Sequence, residues 1–170
     1  LRRRACRTVL DQLFHCLTTW WAPVLAFTME EVWLSRFAGE GSSVHLMQFA
    51  KAPDFWVARE LDVKWYNVRE VSSVITGALE IERQVKKTIG SALEAAPDVH
   101  VSRPDLIAAL DGADLAEISI TSGARLIEGE GPADAFRLDS VKGVAVVFKP
   151  AEGRRCARSW KITPDVGSDP

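Results

Sequence analysis

Seventeen residues, Leu17 to Trp33, carry three tryptophans, a proline and a helix-start signal, a density that no surface loop would hold. The stretch must therefore belong to the core. Pro23 removes one amide donor and disfavours helical geometry at Ala22, so a helix arriving from upstream has to stop or kink near Trp21. Thr28 and Glu31 stand at capping-box spacing, with Phe27 and Val32 placed for a hydrophobic staple, which predicts a second helix from Met29. Two helices are expected to meet here at a fixed angle, a corner that any all-α domain could use.

The 170 residues suffice for one large or two small domains, each able to bury a core. Residues are 47% hydrophobic and 26% charged, an ordinary globular composition. No run of ~18 apolar residues occurs, so no membrane span is expected. Leu1-Arg2-Arg3-Arg4 leads into an amphipathic pattern rather than the apolar stretch of a signal peptide. Cys6, Cys16 and Cys156 have no paired spacing, which argues against a disulfide framework and for a reducing compartment; a cytoplasmic address is expected. The net charge of -2 excludes binding to nucleic acid by bulk charge and leaves room for a local basic patch. Arg2, Arg3, Arg4 and Arg7 oppose the dipole of a helix starting here, so that helix is expected to continue upstream in a longer parent.

Apolar residues at Cys6, Val9, Leu10, Leu13, Leu17, Trp20 and Val24 mark one helical face. The second helix ends before Gly39 and Gly41. Ser42 to Pro53 reads as an extended crossing segment, and Asp54 to Val57 as a turn with Phe55 and Trp56 packed down. From Ala58 to Ile89 there is no proline and one glycine, predicting a single helix of roughly 30 residues, about 45 Å long, with Gly90 in the left-handed capping position. Gly77 within it points to close packing. Beyond Gly90 the segments shorten: a broken strand over Ala92 to Val101, a helix opened by Pro104 with Ser102 as cap and ended by Gly112, two strands around Thr121-Ser122-Gly123, and a central strand over Val144 to Phe148.

Absences narrow the chemistry. No phosphate-binding Gly-x-x-x-x-Gly-Lys-Ser/Thr occurs, so Gly129-Glu130-Gly131-Pro132 is a turn. His15, His45 and His100 lie in three different elements, away in sequence from any nucleophile. Asp98 and His100 share a strand face, which suits either half of a metal or acid-base site or a solvated surface. Glu30 and Glu31 fit a helix N-terminus. The cations are more informative. Arg83, Lys86 and Lys87 crowd a helix end, where they serve either the dipole or a ligand. Arg154, Arg155, Arg158 and Lys161 interleave with Trp160, supplying charge for phosphate and a plane for an unstacked base; the competing role for Trp160 is to anchor a tail.

The apolar-Pro-x-x-x-Phe-Thr-x-Glu-Glu-x-Trp run ending at Trp33 resembles the anticodon-binding helical domain of class I aminoacyl-tRNA synthetases of the isoleucine, valine, leucine and methionine group. Lys86-Lys87-Thr88-Ile89-Gly90-Ser91-Ala92-Leu93-Glu94-Ala95 is similar to a segment after the long helix of bacterial isoleucyl-tRNA synthetases. Arg155-Cys156-Ala157-Arg158-Ser159-Trp160, followed by Asp165-Val166-Gly167, looks like the start of their C-terminal zinc module. Within that group, the three in this order resemble the isoleucine enzymes. One departure is chemical: Ser159 stands where the module has its second cysteine, leaving Cys156 as one thiolate where structural zinc needs four ligands, so no zinc is expected here.

The resemblance implies a mainly α fold: an anticodon-binding helical bundle over 1–90, a small α/β (α+β) domain over 91–153, and the start of a degenerate zinc-module-like tail over 154–170. It implies a C-terminal part of an isoleucine–tRNA ligase whose ATP and Mg chemistry lies elsewhere, since the His-Ile-Gly-His and Lys-Met-Ser-Lys-Ser signatures and the editing domain are absent. No cofactor is expected in this segment. The implied partners are the anticodon stem-loop of isoleucine tRNA and an upstream catalytic domain, with no membrane and a monomeric state. Arg83, Lys86, Lys87, Arg155, Arg158 and Trp160 are the candidate tRNA-binding residues. The alternative is a structural or protein-interaction module without RNA binding of its own.

Overall fold

The computed structural model describes residues 2–168. They fall into two compact units, Leu1–Ala58 and Arg59–Pro170.

In the first unit, α1 (Arg2–Trp21) and α2 (Ala26–Arg36) meet at the predicted corner. Backbone bonds close it: the Trp21 carbonyl accepts from the amides of Val24 at 3.0 Å and Leu25 at 2.8 Å. This tight turn already sets the chain direction, so α2 starts three residues earlier than expected. Thr28 then lies inside the first turn, no side chain caps the helix at Leu25, and the capping box does not form. The staple fails with it, leaving Phe27 93% exposed.

Glu30 has a different task from the one its position suggested. Its carboxylate accepts from the Val44 amide at 2.9 Å and the Ser43 hydroxyl at 3.0 Å, tying down a 3₁₀ turn over Val44–Leu46 within the crossing segment. Ala22, Trp33 and Val44 form the unit's small core, with Phe14, Met29 and Phe37 against it. The Trp33 indole N–H donates to Ser42 Oγ at 3.2 Å, so the buried ring keeps its polar partner.

The apolar face predicted for α1 exists and is largely exposed among the described residues. Val9, Leu13, Leu17, Trp20 and Val24 are exposed, while Cys16, Thr18, Thr19 and Ala22 are buried. The two threonine hydroxyls donate to the carbonyls of Phe14 and His15, each at 2.7 Å, which makes their burial tolerable. Phe55 is exposed as well, contrary to expectation.

In the second unit, α3 (Arg59–Glu80) runs into a π-helical turn over Ile81–Lys86. Lys87, at φ 54° and ψ 34°, ends it in the left-handed conformation expected of Gly90. The reason lies in Glu82, which is buried and accepts from Lys86 Nζ at 2.6 Å and the Thr88 hydroxyl at 2.7 Å. Widening the turn lets both partners reach it. Burial pushes its carboxyl upward, and those hydrogen bonds outweigh it, leaving the group below the usual carboxylate range.

Four strands follow: β1 (Asp98–Val101), β2 (Arg125–Glu128), β3 (Phe136–Leu138) and β4 (Val141–Val147), in the order β2-β1-β4-β3. The parallel pair β1–β2 requires a crossover, supplied by α4 (Pro104–Leu110) and α5 (Leu115–Ser119). Pro104 opens α4 and Gly112 follows it at φ 70°, as expected, although the cap position is Arg103 rather than Ser102. α5 replaces the strand predicted around Ile118 and Ile120: Asp114 accepts from the Glu117 amide at 3.1 Å, a start signal that the short apolar run concealed. The strand expected from Ala92 begins only at Asp98, after a 3₁₀ turn over Ala92–Glu94.

Val68, Val71, Ile75, Ala78 and Leu79 of α3 pack with Leu106, Val99, Val101, Val144 and Val146 in one core. The long helix thus belongs to the sheet's unit, and the boundary expected near residue 90 lies between Ala58 and Arg59. Gly77 is the close-packing point its position suggested, against a strand: a Cβ there would lie 3.0 Å from Cε1 of Phe136. The chain is mixed α+β, with five α-helices among the described residues and the four-stranded sheet in the second unit. None of these helices is long and apolar enough to cross a membrane.

Candidate nucleic-acid interface

The segment predicted as a tail folds into a hairpin, β5 (Arg154–Arg155) against β6 (Ile162–Thr163). Strands of two residues are too short to read from periodicity. The turn between them is closed by the Cys156 amide donating to the Lys161 carbonyl at 2.8 Å and the Trp160 amide to the Cys156 carbonyl at 2.9 Å. The hairpin is pinned to the second unit: the Ile162 amide donates to Ser122 Oγ at 2.6 Å, and Lys161 pairs with Glu117.

Trp160 sits at φ 63°, a left-handed conformation uncommon outside glycine, and its side chain is 62% exposed. It does not anchor the hairpin to a core. Arg155 places its guanidinium 6.0 Å from the indole centroid, at the outer reach of a cation–π contact. Arg155 also approaches Glu94 at 3.4 Å, and the other oxygen of Glu94 accepts from the Gly90 amide at 3.1 Å. Glu94 therefore links the hairpin to the segment that follows α3. Arg158 is exposed and has no ion pair among the described residues.

The cations at the end of α3 do not act together. Arg83 pairs with Glu80 at 3.0 Å beside a hollow lined by Thr76, Leu79 and Ile89. Lys86 pairs with Glu82 in a separate cleft of about 490 Å³, walled by Ile81, Phe136 and Phe148. Lys87, at the left-handed position, has no ion pair among the described residues. Of the six predicted site residues, Arg155 and Trp160 are brought together with Arg158 on the same turn, and the helix-end trio is divided.

Asp98 and His100 share a strand and not a site. Asp98 is buried beneath Arg125 and Lys149, and His100 lies against the turn at Gly131, where a Cβ would come within 2.9 Å of the imidazole Cγ. Among the described residues no three His, Cys, Asp or Glu side chains gather as metal ligands. At the hairpin, Cys156 is the one thiolate and the Ser159 amide donates to its sulfur at 3.5 Å.

That environment draws the Cys156 thiol down to about 7, chiefly through hydrogen bonding from Ser159, then through backbone amides and the nearby charge of Arg158. Its alkylation rate is expected to rise through a midpoint near pH 7, and Ser159→Ala to move that midpoint upward. A wild-type midpoint at the ordinary thiol value, about 8.5, would show that the turn does not stabilise the thiolate.

These features define a class of site: a short β-ribbon on an α+β unit, tipped by an exposed indole among guanidinium groups, able to hold phosphate by charge and a base by stacking. No family model matches the chain. It is 56% identical over 170 residues to the isoleucine–tRNA ligase of Agrobacterium fabrum, 55% over 166 residues to that of Ruegeria pomeroyi, and 51% over 170 residues to that of Caulobacter vibrioides. These alignments cover 98–100% of the chain and 17% of each relative, so the chain spans about a sixth of their length. Throughout its length the chain is homologous to a segment of isoleucine–tRNA ligases.

Proposed function

We propose that the chain is the C-terminal, anticodon-binding part of a bacterial isoleucine–tRNA ligase, where it binds and positions the anticodon stem-loop of isoleucine tRNA. The observation that carries this reading is Trp160: a large indole held outward in a strained conformation, with Arg155 against it and Arg158 beside it. A tail anchor would bury that ring. The phosphates would be held by the exposed guanidinium groups and one unstacked base by the indole face. Lys87, without an ion pair among the described residues, would join them, and Arg83 and Lys86, although paired with carboxylates, stay exposed and keep donors for phosphate. In this reading the parent is an ATP-dependent, Mg-requiring cytoplasmic monomer whose catalytic domain lies upstream, and the hairpin works without zinc.

Titration against the isoleucine anticodon stem-loop, and against a loop with a changed anticodon, tests the proposal. Preferential binding that falls steeply with salt is expected. Trp160→Ala should weaken it by one stacking contact, about 1–3 kcal/mol, or roughly 5- to 150-fold. Equal or absent binding to the two loops would sink the reading.

One observation favours a second role. The uncovered stripe Val9, Leu13, Leu17 and Trp20 is suited to docking other parts of the ligase. Such docking would be insensitive to salt, whereas RNA binding would not.

A further inference from the structure

We propose that Arg125 and Lys149, held out by the buried carboxylate of Asp98, form a second phosphate site that takes a backbone phosphodiester of the RNA alongside the hairpin. This rests on the RNA-binding reading above and adds residues that no sequence motif marked.

Asp98 is 7% exposed and both its oxygens are occupied. Arg125 donates Nε to Oδ1 at 2.9 Å and Nη2 to Oδ2 at 2.8 Å, while Lys149 Nζ lies 2.6 Å from Oδ2. The register explains the meeting: Asp98 is opposite Arg125 on β2 and opposite Val147 on β4, two residues before Lys149. Hydrogen bonding to Arg125 leads the effects that hold the Asp98 carboxyl below its usual range, so the anchor stays ionised.

A sheet staple needs one cation; here a single carboxylate holds two. Both remain largely in solvent, Arg125 with 65% and Lys149 with 49% of the side chain exposed. Three of the five guanidinium N–H groups and two of the three ammonium N–H groups are left for a ligand. They line a cleft of about 360 Å³ together with Ile162, Thr163 and Pro164, the residues that follow the turn bearing Trp160. Fixed donors on the same unit as the Trp160 turn, in a cleft lined by the strand that leaves that turn, suit an RNA strand, in which phosphate and base recognition alternate. The lining holds two carboxylates, Asp98 between the cations and Glu152, against the two cations. The cleft at Lys86 does not suit phosphate, because Glu82 and Asp134 outnumber its single cation.

The test is the salt dependence of anticodon stem-loop binding by the full chain, with thermal melts of each variant. Lys149→Ala leaves the bidentate Arg125–Asp98 pair in place. It is expected to lower affinity about 3- to 10-fold at moderate salt and to flatten the plot of log K against log salt by about 0.7, the single-strand value for one phosphate. Arg125→Ala should do at least as much, and Glu152→Gln should tighten binding. An unchanged slope and affinity in Lys149→Ala, while Trp160→Ala still weakens binding, would overturn this site and leave the hairpin reading intact. Failure of the wild-type chain to bind RNA would overturn both.

Discussion

Gly153→Ala is expected to melt the β5–β6 hairpin and leave the four-stranded sheet folded. Gly153 lies at φ 122°, and a Cβ there would stand 2.3 Å from both the carbonyl carbon and oxygen of Thr163 and 2.6 Å from the Pro164 nitrogen. No rotamer change relieves contact with backbone, and the backbone strain of alanine at that φ adds about 1–3 kcal/mol. A ribbon of two residues per strand has little to set against this. Amide exchange reads the result directly: Cys156, Trp160 and Ile162, whose amides close and anchor the hairpin, should lose protection by ~100-fold or more, with RNA affinity falling alongside. Protection retained at these three amides would mean that the hairpin does not require this close approach.

Leu106→Ala should be among the most damaging of the simple truncations in the second unit. Leu106 is fully buried, in the core shared by α3, α4 and the sheet. Removing a buried leucine costs about 2–5 kcal/mol, depending on how far the cavity collapses. For a unit of this size that corresponds to a midpoint roughly 8–20 °C lower. Val63→Ala on the exposed side of α3 should change stability by no more than about 0.5 kcal/mol. Thermal and urea melts of the two variants check the contrast, and similar losses in both would contradict the placement of the core.

The sequence disclosed those parts of the fold that local chemistry dictates. Pro23 ended α1, Pro104 and Gly112 bracketed α4, and the apolar run around Val144 was an inner strand because both its faces are covered. It did not disclose what would cover an apolar face. The stripes of α1 and α3 looked alike in spacing, yet one is exposed and the other is packed on a sheet whose first strand begins only at Asp98. α5 and the hairpin strands were too short to have a period. At the candidate site, Trp160 and its arginines stood out because they are neighbours in the chain. Arg125 and Lys149 did not, since strand register alone brings them to Asp98.

Trp160 carries a consequence for affinity itself. Its left-handed backbone costs about 1–2 kcal/mol relative to an ordinary conformation, in an element closed by few backbone bonds. The hairpin is therefore expected to open more often than the sheet, which amide exchange would read. If the proposed RNA-binding role holds, only the closed fraction would present the indole, and observed affinity would be the intrinsic affinity scaled by that fraction. RNA that engages the ring would in turn draw the population toward the closed form, so recognition and local ordering at this turn are one equilibrium.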